Sequence, residues 1–450
     1  MRQGNNYVAA IDIGTTKIVS LIGRMNENNK LEVLGMGKTV SKGVKRGVVL
    51  NIEETVSAIM QTVIEAQKEA GLEFSDVFVG IAGQHIKSIK NRGYINLGPD
   101  RDEITQKDID ALIADMYKIP IDLGEEIIHI LPQNYIVDSE TGVKNPVGVS
   151  GRRLEANFHI VVGQIASAKN IEKCVNRVGL KVNQLILEPL ASSAAVLTDD
   201  EREAGVALID IGGGTTDLAV FYDDSIRHTA VIPFGGNVVT KDIKEGCKIL
   251  HRQAEALKTQ FGSALGDLAP EEKVVTIPGI NGREPKEISF KNLAYIIQLR
   301  MEEIIDAVMF EIENSGFLDK LSAGIVLTGG GALLKHLPQL VRFHTGLDVR
   351  IGYPGEYLAG NTGDEINKPQ YATSVGLLLK GWEVMLKSGN EEPVYIEKKI
   401  PAKNVEVIEK DPVAEDDDSD DDEDVTGGSL IAAFKKKITD IFEEKGAKME

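Results

Sequence analysis

Cysteine, tryptophan and long apolar runs are scarce in this chain of 450 residues. The two cysteines, Cys174 and Cys247, are far apart and fit no CxxC or Cys/His ligand spacing, so neither a disulfide framework nor a zinc site is expected. The seven histidines show no ligand spacing either. The N-terminus lacks the pattern of a secretory signal, and no apolar run approaches the roughly 18 residues of a membrane-spanning helix. These absences predict a reduced, cytoplasmic protein that neither is secreted nor spans a membrane.

Basic residues are fewer than acidic ones: 50 Lys and Arg stand against 69 Asp and Glu, so the formal net charge is -19. This balance disfavours a general nucleic-acid surface. Residues 391–450 contain 9 Lys/Arg and 19 Asp/Glu, a net charge of -10, which leaves -9 for the first 390 residues. The acidity is therefore concentrated in a tail. The remaining length and the 42% hydrophobic content predict two to four folding units with sizeable cores.

One short motif is present twice: Asp-Ile-Gly-Thr-Thr-Lys at Asp12 to Lys17, and Asp-Ile-Gly-Gly-Gly-Thr-Thr-Asp at Asp210 to Asp217. An apolar run typical of a buried strand precedes and follows each copy, so each predicts a strand, a tight turn and a strand. The turn glycines let the backbone approach a ligand, and N–H groups and threonine hydroxyls can bind phosphate oxygens. An aspartate beside a phosphate requires a cation between them. Two copies predict two domains that close on one magnesium nucleotide from opposite sides.

A third glycine-rich strand end lies at Gly329 to Gly331, after a predicted strand at 324–327 and before a helix predicted to start at Ala332. Backbone without side chains can lie flat against an adenine or a ribose there. The P-loop and dinucleotide-binding motifs do not fit, because their glycine loops lead into a helix and the P-loop needs Gly-Lys-Ser/Thr. A single hairpin of this kind is compatible with a plain β-turn, but two matched copies and a third motif favour a nucleotide pocket.

The remaining pattern predicts an α/β chain with an inserted α+β block at 84–163. Helices are predicted over 53–70, 106–118, 167–178, 293–314 and 370–386, and strands of the block over 126–130, 135–137 and 158–162. Thr105 with Asp108 gives a capping signal for the helix of the block. Glu188-Pro189 begins a helix of small residues, which suits a helix that crosses closely between two domains.

These motifs, together with Glu188-Pro189 and Gly235-Gly236-Asn237, resemble the nucleotide pocket of the actin, DnaK-type chaperone and sugar kinase superfamily. The resemblance implies that Asp12 and Asp210 hold Mg²⁺ through water. It implies that phosphates are cradled by Gly14, Thr15, Thr16, Lys17, Gly212, Gly213, Gly214, Thr215 and Thr216, next to Gly235 and Gly236, and that the nucleoside is bordered by Gly329, Gly330 and Gly331.

Two further roles follow from the same resemblance, each with an alternative. Glu255 and Lys258 match the superfamily pair that reaches the ribose and adenine, although a solvated i, i+3 pair has the same spacing. Glu188 matches the residue that orients the attacking water, which makes Glu188, Asp12 and Asp210 the catalytic candidates. An interdomain salt bridge is the alternative for Glu188.

Within the superfamily, the chain resembles the FtsA family of bacterial cell-division proteins. The stretch 38–52 is too short for the subdomain found there in actin, and the insert comes after 77–83 instead. The stretches 41–47 and 80–86 are also similar to that family, except that Ala82 and Gln84 stand where serines are usual.

The likeness covers about residues 7–388 and the extreme C-terminus. It implies an actin-like two-domain ATPase fold with a relocated α+β subdomain, 1C. The implied divisions are 1–83 and 164–195 for subdomain 1A, 84–163 for 1C, 196–236 and 305–390 for 2A, 237–304 for 2B, 391–429 for a disordered acidic linker and 430–446 for an amphipathic helix.

The terminal helix is predicted from its periodicity. Leu430, Ile431, Phe434, Ile438, Ile441 and Phe442 fall within an arc of about 120° at 100° per residue. Lys435 and Lys436 lie at or beyond one edge of this stripe and Lys437 near the other, so they can reach lipid headgroups. The acidic linker before the helix favours a membrane tether over a terminal helix docked on the body. One copy is a marginal anchor, and assembly into a filament would make attachment firm.

The resemblance implies an ATP-binding scaffold with at most weak ATPase activity. Such a protein would tether FtsZ polymers, through a surface near 241–300, to the cytoplasmic face of the bacterial membrane at the division site. It would also self-assemble and recruit later division proteins through subdomain 1C. The alternatives are a small-molecule kinase of the superfamily and a PilM-like pilus assembly adaptor. A chaperone is disfavoured, because only 60 residues follow the ATPase-like body.

Overall fold

The computed structural model describes residues 7–98, 101–279, 284–360 and 363–387. The strands in this part of the chain are β1 (Val8–Ile13), β2 (Lys17–Met25), β3 (Leu31–Val40), β4 (Val44–Lys45), β5 (Val48–Val49), β6 (Asp76–Ile81), β7 (Lys87–Asn96), β8 (Glu125–Val137), β9 (Glu140–Val143), β10 (Arg153–Gln164), β11 (Lys181–Leu187), β12 (Val206–Ile211), β13 (Thr216–Tyr222), β14 (Ser225–Ile232), β15 (Val274–Ile277), β16 (Lys286–Ser289), β17 (Ile325–Thr328) and β18 (Val349–Ile351). The helices are α1 (Ile52–Ala70), α2 (Gln106–Met116), α3 (Ile165–Arg177), α4 (Glu188–Val196), α5 (Asp199–Ala204), α6 (Gly236–Cys247), α7 (His251–Phe261), α8 (Phe290–Ser315), α9 (Leu337–Thr345) and α10 (Ala372–Lys387). The predicted linker and terminal helix lie outside the described residues, and no described helix is both long and apolar enough to cross a bilayer.

Two five-stranded sheets share one topology. Their orders are β3-β2-β1-β6-β11 and β14-β13-β12-β17-β18. In each sheet the first three strands are antiparallel neighbours, and the next two extend the sheet in parallel with its central strand. Both copies of the Asp-Ile-Gly motif therefore lie at the end of a central strand, β1 or β12. The internal repeat seen in the sequence is a repeat of the whole sheet.

The central strands β1 and β12 are buried along their full length, which explains their continuous apolar sequence. Helices α4 and α10 lie between the two sheets. They contribute to one apolar core that also contains Ala10 of β1, Leu208 of β12 and Val375 of α10. We call this the inter-sheet core. The two halves of the molecule thus share the inter-sheet core.

Helices α4 and α10 cross at very short distance. A Cβ atom added to Gly376 would overlap the backbone carbonyl of Ala191. Only glycine fits at this position, because the obstacle is backbone and not a movable side chain. The small residues that follow Glu188 in the sequence therefore serve close helix packing, as predicted.

The insert forms a four-stranded sheet of order β7-β10-β8-β9, covered by α2. The predicted cap of α2 is present, because the Asp108 carboxylate accepts hydrogen bonds from the backbone N–H of Thr105 at 2.9 Å and from its hydroxyl at 2.6 Å. The insert contacts both halves. Ser88 Oγ donates to the carbonyl of Thr229 at 2.7 Å, and His129 Nε2 accepts from the backbone N–H of Leu187 at 3.0 Å. Burial and the charge of Lys380 lower the pKa of His129 to about 4, which keeps this ring neutral and able to accept.

Two element predictions need correction, and strand β7 was not predicted. The runs predicted at 126–130 and 135–137 belong to one bent strand, β8, which has register shifts against β10. Strand β7 was missed because it is a polar edge strand with several basic residues. The helix predicted from Ala332 does not begin there: Gly330–Leu333 is a 3₁₀ turn, and α9 starts after His336 takes a left-handed φ of 62°.

Candidate functional site

The two Asp-Ile-Gly turns face each other across a cleft between the sheets. Gly14 N–H donates to the carbonyl of Lys17 at 3.1 Å, and Gly212 N–H to that of Thr215 at 2.9 Å, so the turns have matching hydrogen bonds. A Cβ atom added to Gly214 would lie 2.6 Å from Thr15 Oγ1. Gly213 and Gly214 of the second turn therefore leave space for Thr16 and Thr15 of the first turn.

A cavity of about 160 Å³ lies between the turns. The predicted residues that line it are Asp12, Gly14, Thr15, Thr16, Lys17, Glu188, Asp210, Gly212, Gly213, Gly214, Thr215, Gly329 and Gly330. A second cavity of about 420 Å³ is lined by Gly236, Glu255, Lys258 and Gly331, and it shares Thr16, Gly212, Gly213 and Gly330 with the first. The structure thus brings together nearly all of the predicted site residues, in two cavities with common walls.

Two predicted residues line neither cavity. Thr216 is fully buried, and its hydroxyl donates to the carbonyl of Phe234 at 2.9 Å. Gly235 packs on the second turn, where an added Cβ would lie 2.6 Å from the carbonyl oxygen of Gly212. Both residues support the turn that contacts the cavity.

Asp12 and Asp210 are buried carboxylates on opposite walls of the first cavity. Asp12 Oδ2 accepts a hydrogen bond from Ser374 Oγ at 2.7 Å, and Asp210 Oδ2 accepts one from Thr373 Oγ1 at 3.1 Å. Burial raises the pKa of Asp12, against the opposing effects of the Lys17 charge and the Ser374 hydroxyl. Burial also raises the pKa of Asp210 to about 6, although the hydroxyls of Thr373 and Ser192 oppose the shift. Such a pair of carboxylates favours a cation between them.

Lys17 is the one lysine or arginine among the described residues that line the first cavity. Its ammonium group donates to the carbonyl of Gln370 and lies 4.6 Å from the ring centre of Tyr371. Burial lowers the pKa of Lys17, and the carboxylates of Asp12, Asp210 and Glu188 act in the opposite direction. The group is positioned to compensate the charge of an anion in the cavity.

Glu188 is the first residue of α4 and lies among like charges. Burial raises the pKa of Glu188 well above its ordinary value, and the carboxylates of Asp12, Asp217 and Asp210 add to the shift. The side chain therefore holds a proton readily, unless a cation enters the cavity and favours the charged form.

Asp217 lines the same cavity and was absent from the predicted site. It pairs with Asp210 across the β12–β13 ladder, and Thr215 Oγ1 donates to its Oδ2 at 3.2 Å. Its Oδ1 is buried without a hydrogen-bond partner among the described residues. Burial and then the charge of Asp210 raise the pKa of Asp217 to about 8. The sequence carried a signal for this residue, since Asp217 ends the second motif and the hairpin register places it opposite Asp210.

Lys258 and Glu255 form a hydrogen-bonded cluster at the second cavity. Lys258 Nζ donates to Glu255 Oε2 at 2.7 Å, to Thr240 Oγ1 at 2.7 Å and to the carbonyl of Gly236 at 2.9 Å. Its side chain is only 15% exposed, so the pair does not form a freely solvated surface contact. The cluster connects α7 to the start of α6 beside the second turn.

Comparison with known proteins finds similarity to one protein family over most of the chain. A family model described as "Cell division protein FtsA" matches residues 207–376, and one described as "SHS2 domain inserted in FTSA" matches residues 83–162. The cell division protein FtsA of Pseudomonas aeruginosa is 41% identical over 379 residues, which cover 84% of this chain and 90% of that protein. The FtsA protein of Neisseria meningitidis serogroup B is 40% identical over 379 residues, with coverages of 84% and 91%. This chain belongs to the FtsA family.

The resemblance to FtsA predicted from the motifs is thereby confirmed, and so is the actin-like fold with an inserted domain. A solved structure described as a PilM-PilN type IV pilus biogenesis complex superimposes with a TM-score of 0.58 at 16% identity, covering 83% of this chain and 98% of that one. At this identity the likeness concerns the fold. Within FtsA-family architecture, the SHS2 insert of this chain comprises β7, α2, β8, β9 and most of β10.

Proposed function

We propose that this FtsA-family protein is an actin-like scaffold for bacterial cell division that binds Mg-ATP between its two halves. The observation that carries the proposal is the meeting of Asp12 and Asp210, from equivalent strands of the two sheets, at one cavity that also contains Lys17. Its relatives at 40–41% identity are described as cell division proteins.

The residues present fit a magnesium nucleotide. Gly213 and Gly214 of the second turn leave room where a Cβ would collide with the threonine side chains of the first turn, and the Oδ1 of Asp217 is buried without a hydrogen-bond partner in the part of the chain that the structure describes. Among the described residues, no three His, Cys, Asp or Glu side chains cluster closely enough to hold a metal ion by themselves. Asp12 and Asp210 would therefore hold a hydrated Mg²⁺ ion through water, next to the phosphates. When bound, the ion neutralises phosphate charge and favours the ionised carboxylates.

Different side chains and backbone groups of the protein then bind the phosphates, the nucleoside and the attacking water. Lys17 and the N–H groups of the two turns bind phosphate oxygens, and the cluster of Glu255 and Lys258 contacts the ribose and adenine in the larger cavity. Glu188 orients the water for a slow hydrolysis. Helix α4 fixes its backbone at the edge of the cavity, since Ser192 Oγ donates to the Glu188 carbonyl at 2.9 Å.

The scaffold role extends to partners and membrane. The family resemblance supports FtsZ binding near 241–300, self-assembly into an actin-like filament, and recruitment of later division proteins through subdomain 1C at 84–163. The division into subdomains 1A, 1C, 2A and 2B is part of the same proposal. The amphipathic sequence at 430–446 supports attachment to the cytoplasmic face of the cell membrane at the division site, beyond an acidic spacer.

Calorimetric titration with ATP tests the nucleotide site. We expect saturable binding with Mg²⁺ and a loss of affinity of about tenfold or more when EDTA removes the metal, since charged contacts of this kind are worth about 1.5–3 kcal/mol. The variant Asp12→Asn should lose most of the magnesium effect. The exposed control Asp200→Asn on α5 should retain it. If no adenine nucleotide produced a binding heat in this titration, the nucleotide site would be refuted.

Liposome sedimentation tests the membrane tether. We expect the full chain to pellet with anionic vesicles and a chain without residues 430–450 to stay in the supernatant. In the full chain, Ile438→Glu should also abolish pelleting, because it places a charge within the apolar stripe. Thr439→Glu makes the same charge change outside the stripe and should preserve pelleting. Pelleting of the shortened chain would contradict the tether.

A further inference from the structure

Residues 369–374, which lead into and begin α10, contact all three nucleotide motifs. We call them the bridging segment. The carbonyl of Pro369 accepts hydrogen bonds from Gly329 N–H at 3.2 Å and from Thr328 Oγ1 at 3.3 Å. The carbonyl of Gln370 accepts from the ammonium group of Lys17. One short stretch of chain is thus bonded to the third glycine motif and to the lysine of the first hairpin.

The last two residues of the segment connect the opposing aspartates. Ser374 Oγ donates to Asp12 Oδ2 and Thr373 Oγ1 donates to Asp210 Oδ2. Adjacent residues of a helix point about 100° apart, so neighbouring hydroxyls on the first turn of α10 can reach opposite walls of the cleft. Both side chains are buried, at 1% and 8% exposure, so bulk water does not compete strongly for these bonds.

We propose that Thr373 and Ser374 are positioning residues that set the orientation of Asp210 and Asp12 for a magnesium nucleotide. Each hydroxyl occupies a single carboxylate oxygen and leaves acceptor capacity for the water ligands of the ion. Because both donors belong to one helical turn, a displacement of α10 changes both carboxylates together. This inference rests on the proposed nucleotide function and adds the residues that prepare the metal side of the site.

The test measures the magnesium effect, defined as the ratio of ATP affinities with Mg²⁺ and with EDTA. The double variant Thr373→Val/Ser374→Ala removes both hydroxyls at nearly constant volume. We expect its magnesium effect to fall about tenfold, the lower range for hydrogen bonds to charged groups, while ATP affinity in EDTA stays near that of the parent protein. Thr373→Ser keeps the hydroxyl that donates to Asp210. The variant Thr373→Ser/Ser374→Ala should therefore lose less of the magnesium effect than Thr373→Val/Ser374→Ala.

A matched control is available in the first sheet. Ser20 and Thr62 are fully buried hydroxyls bonded to each other at 2.8 Å outside both cavities. Ser20→Ala/Thr62→Val loses stability for comparable reasons but should leave the magnesium effect unchanged. Melting curves of each variant exclude global unfolding, and the single variant Ser374→Ala replaces the double variant if the latter does not fold.

The possible outcomes distinguish a failure of the role proposed for Thr373 and Ser374 from a failure of the proposed Mg-ATP binding. Equal losses with Mg²⁺ and with EDTA, or an unchanged magnesium effect in a protein that binds Mg-ATP, would overturn the role of Thr373 and Ser374 alone. A parent protein that binds no adenine nucleotide would overturn the proposed function itself.

Discussion

Replacement of Glu188 by glutamine is expected to slow ATP hydrolysis by about 100-fold, the lower range for loss of a positioned acid or base. Binding of Mg-ATP should stay close to that of the parent protein. The reason is the position of this side chain at the start of α4, where it lines the cavity but belongs to neither of the two hairpins that we propose to bind phosphates. Glutamine keeps the size and one acceptor of glutamate and removes its ability to take a proton. Phosphate release in a single turnover, at protein concentrations above that of ATP, measures the effect even when hydrolysis is slow.

The control for this experiment is Glu203→Gln, an equivalent change on exposed α5 outside both cavities. It should leave hydrolysis and binding unchanged. Glu188→Ala should resemble Glu188→Gln in rate, because neither side chain accepts a proton from water. If Glu188→Gln hydrolysed ATP at the rate of the parent protein, Glu188 would have no part in activating water, and the buried acceptor Asp217 would be the next residue to examine.

Replacement of Gly376 by alanine is expected to lower the free energy of unfolding by about 3 kcal/mol, the upper range for overpacking in a core. The added methyl group would overlap the carbonyl of Ala191, so α4 and α10 must separate to accommodate it. These helices carry Glu188 and the bridging segment, and their separation should also weaken Mg-ATP binding. Denaturant unfolding followed by circular dichroism measures the first effect and calorimetry the second.

Gly246→Ala is the matched change in another helix. An alanine methyl at Gly246 would approach only the tip of the Ile296 side chain, and the residue is exposed near the end of α6. Helix propensity should then stabilise this variant by about 0.5–1 kcal/mol. Equal stability of Gly376→Ala and the parent protein would mean that the helix crossing relaxes freely.

The sequence was informative wherever contacts are local. A strand that ends in Asp-Ile-Gly and turns back into a second strand is specified by about ten consecutive residues, and both copies formed as predicted. The cap of α2, which was predicted, depends on two residues that are only three positions apart. The cleft itself followed from the repetition of the motif, since each copy supplies half of a site.

Contacts between segments that are distant in the chain could not be predicted from local sequence patterns. Ser374 reaches Asp12 across 362 positions of the chain, and Thr373 reaches Asp210 across 163. Serine and threonine near a helix start are ordinary capping residues, so their types gave no indication of a role in the cleft. The helix predicted from Ala332 was wrong for a related reason. Apolar periodicity resumes at once after the glycines, but the chain needs a left-handed residue at His336 before α9 can start.

The inter-sheet core has a consequence for biosynthesis. Strand β1 is made first, yet residues of β1 such as Ala10 are covered by α10, whose last residue is Lys387. The part of the inner face of the first sheet that α10 covers therefore stays exposed while more than 350 further residues leave the ribosome. Nascent chains of this protein should depend on chaperones until translation passes α10, and a fragment truncated ahead of that helix should be insoluble.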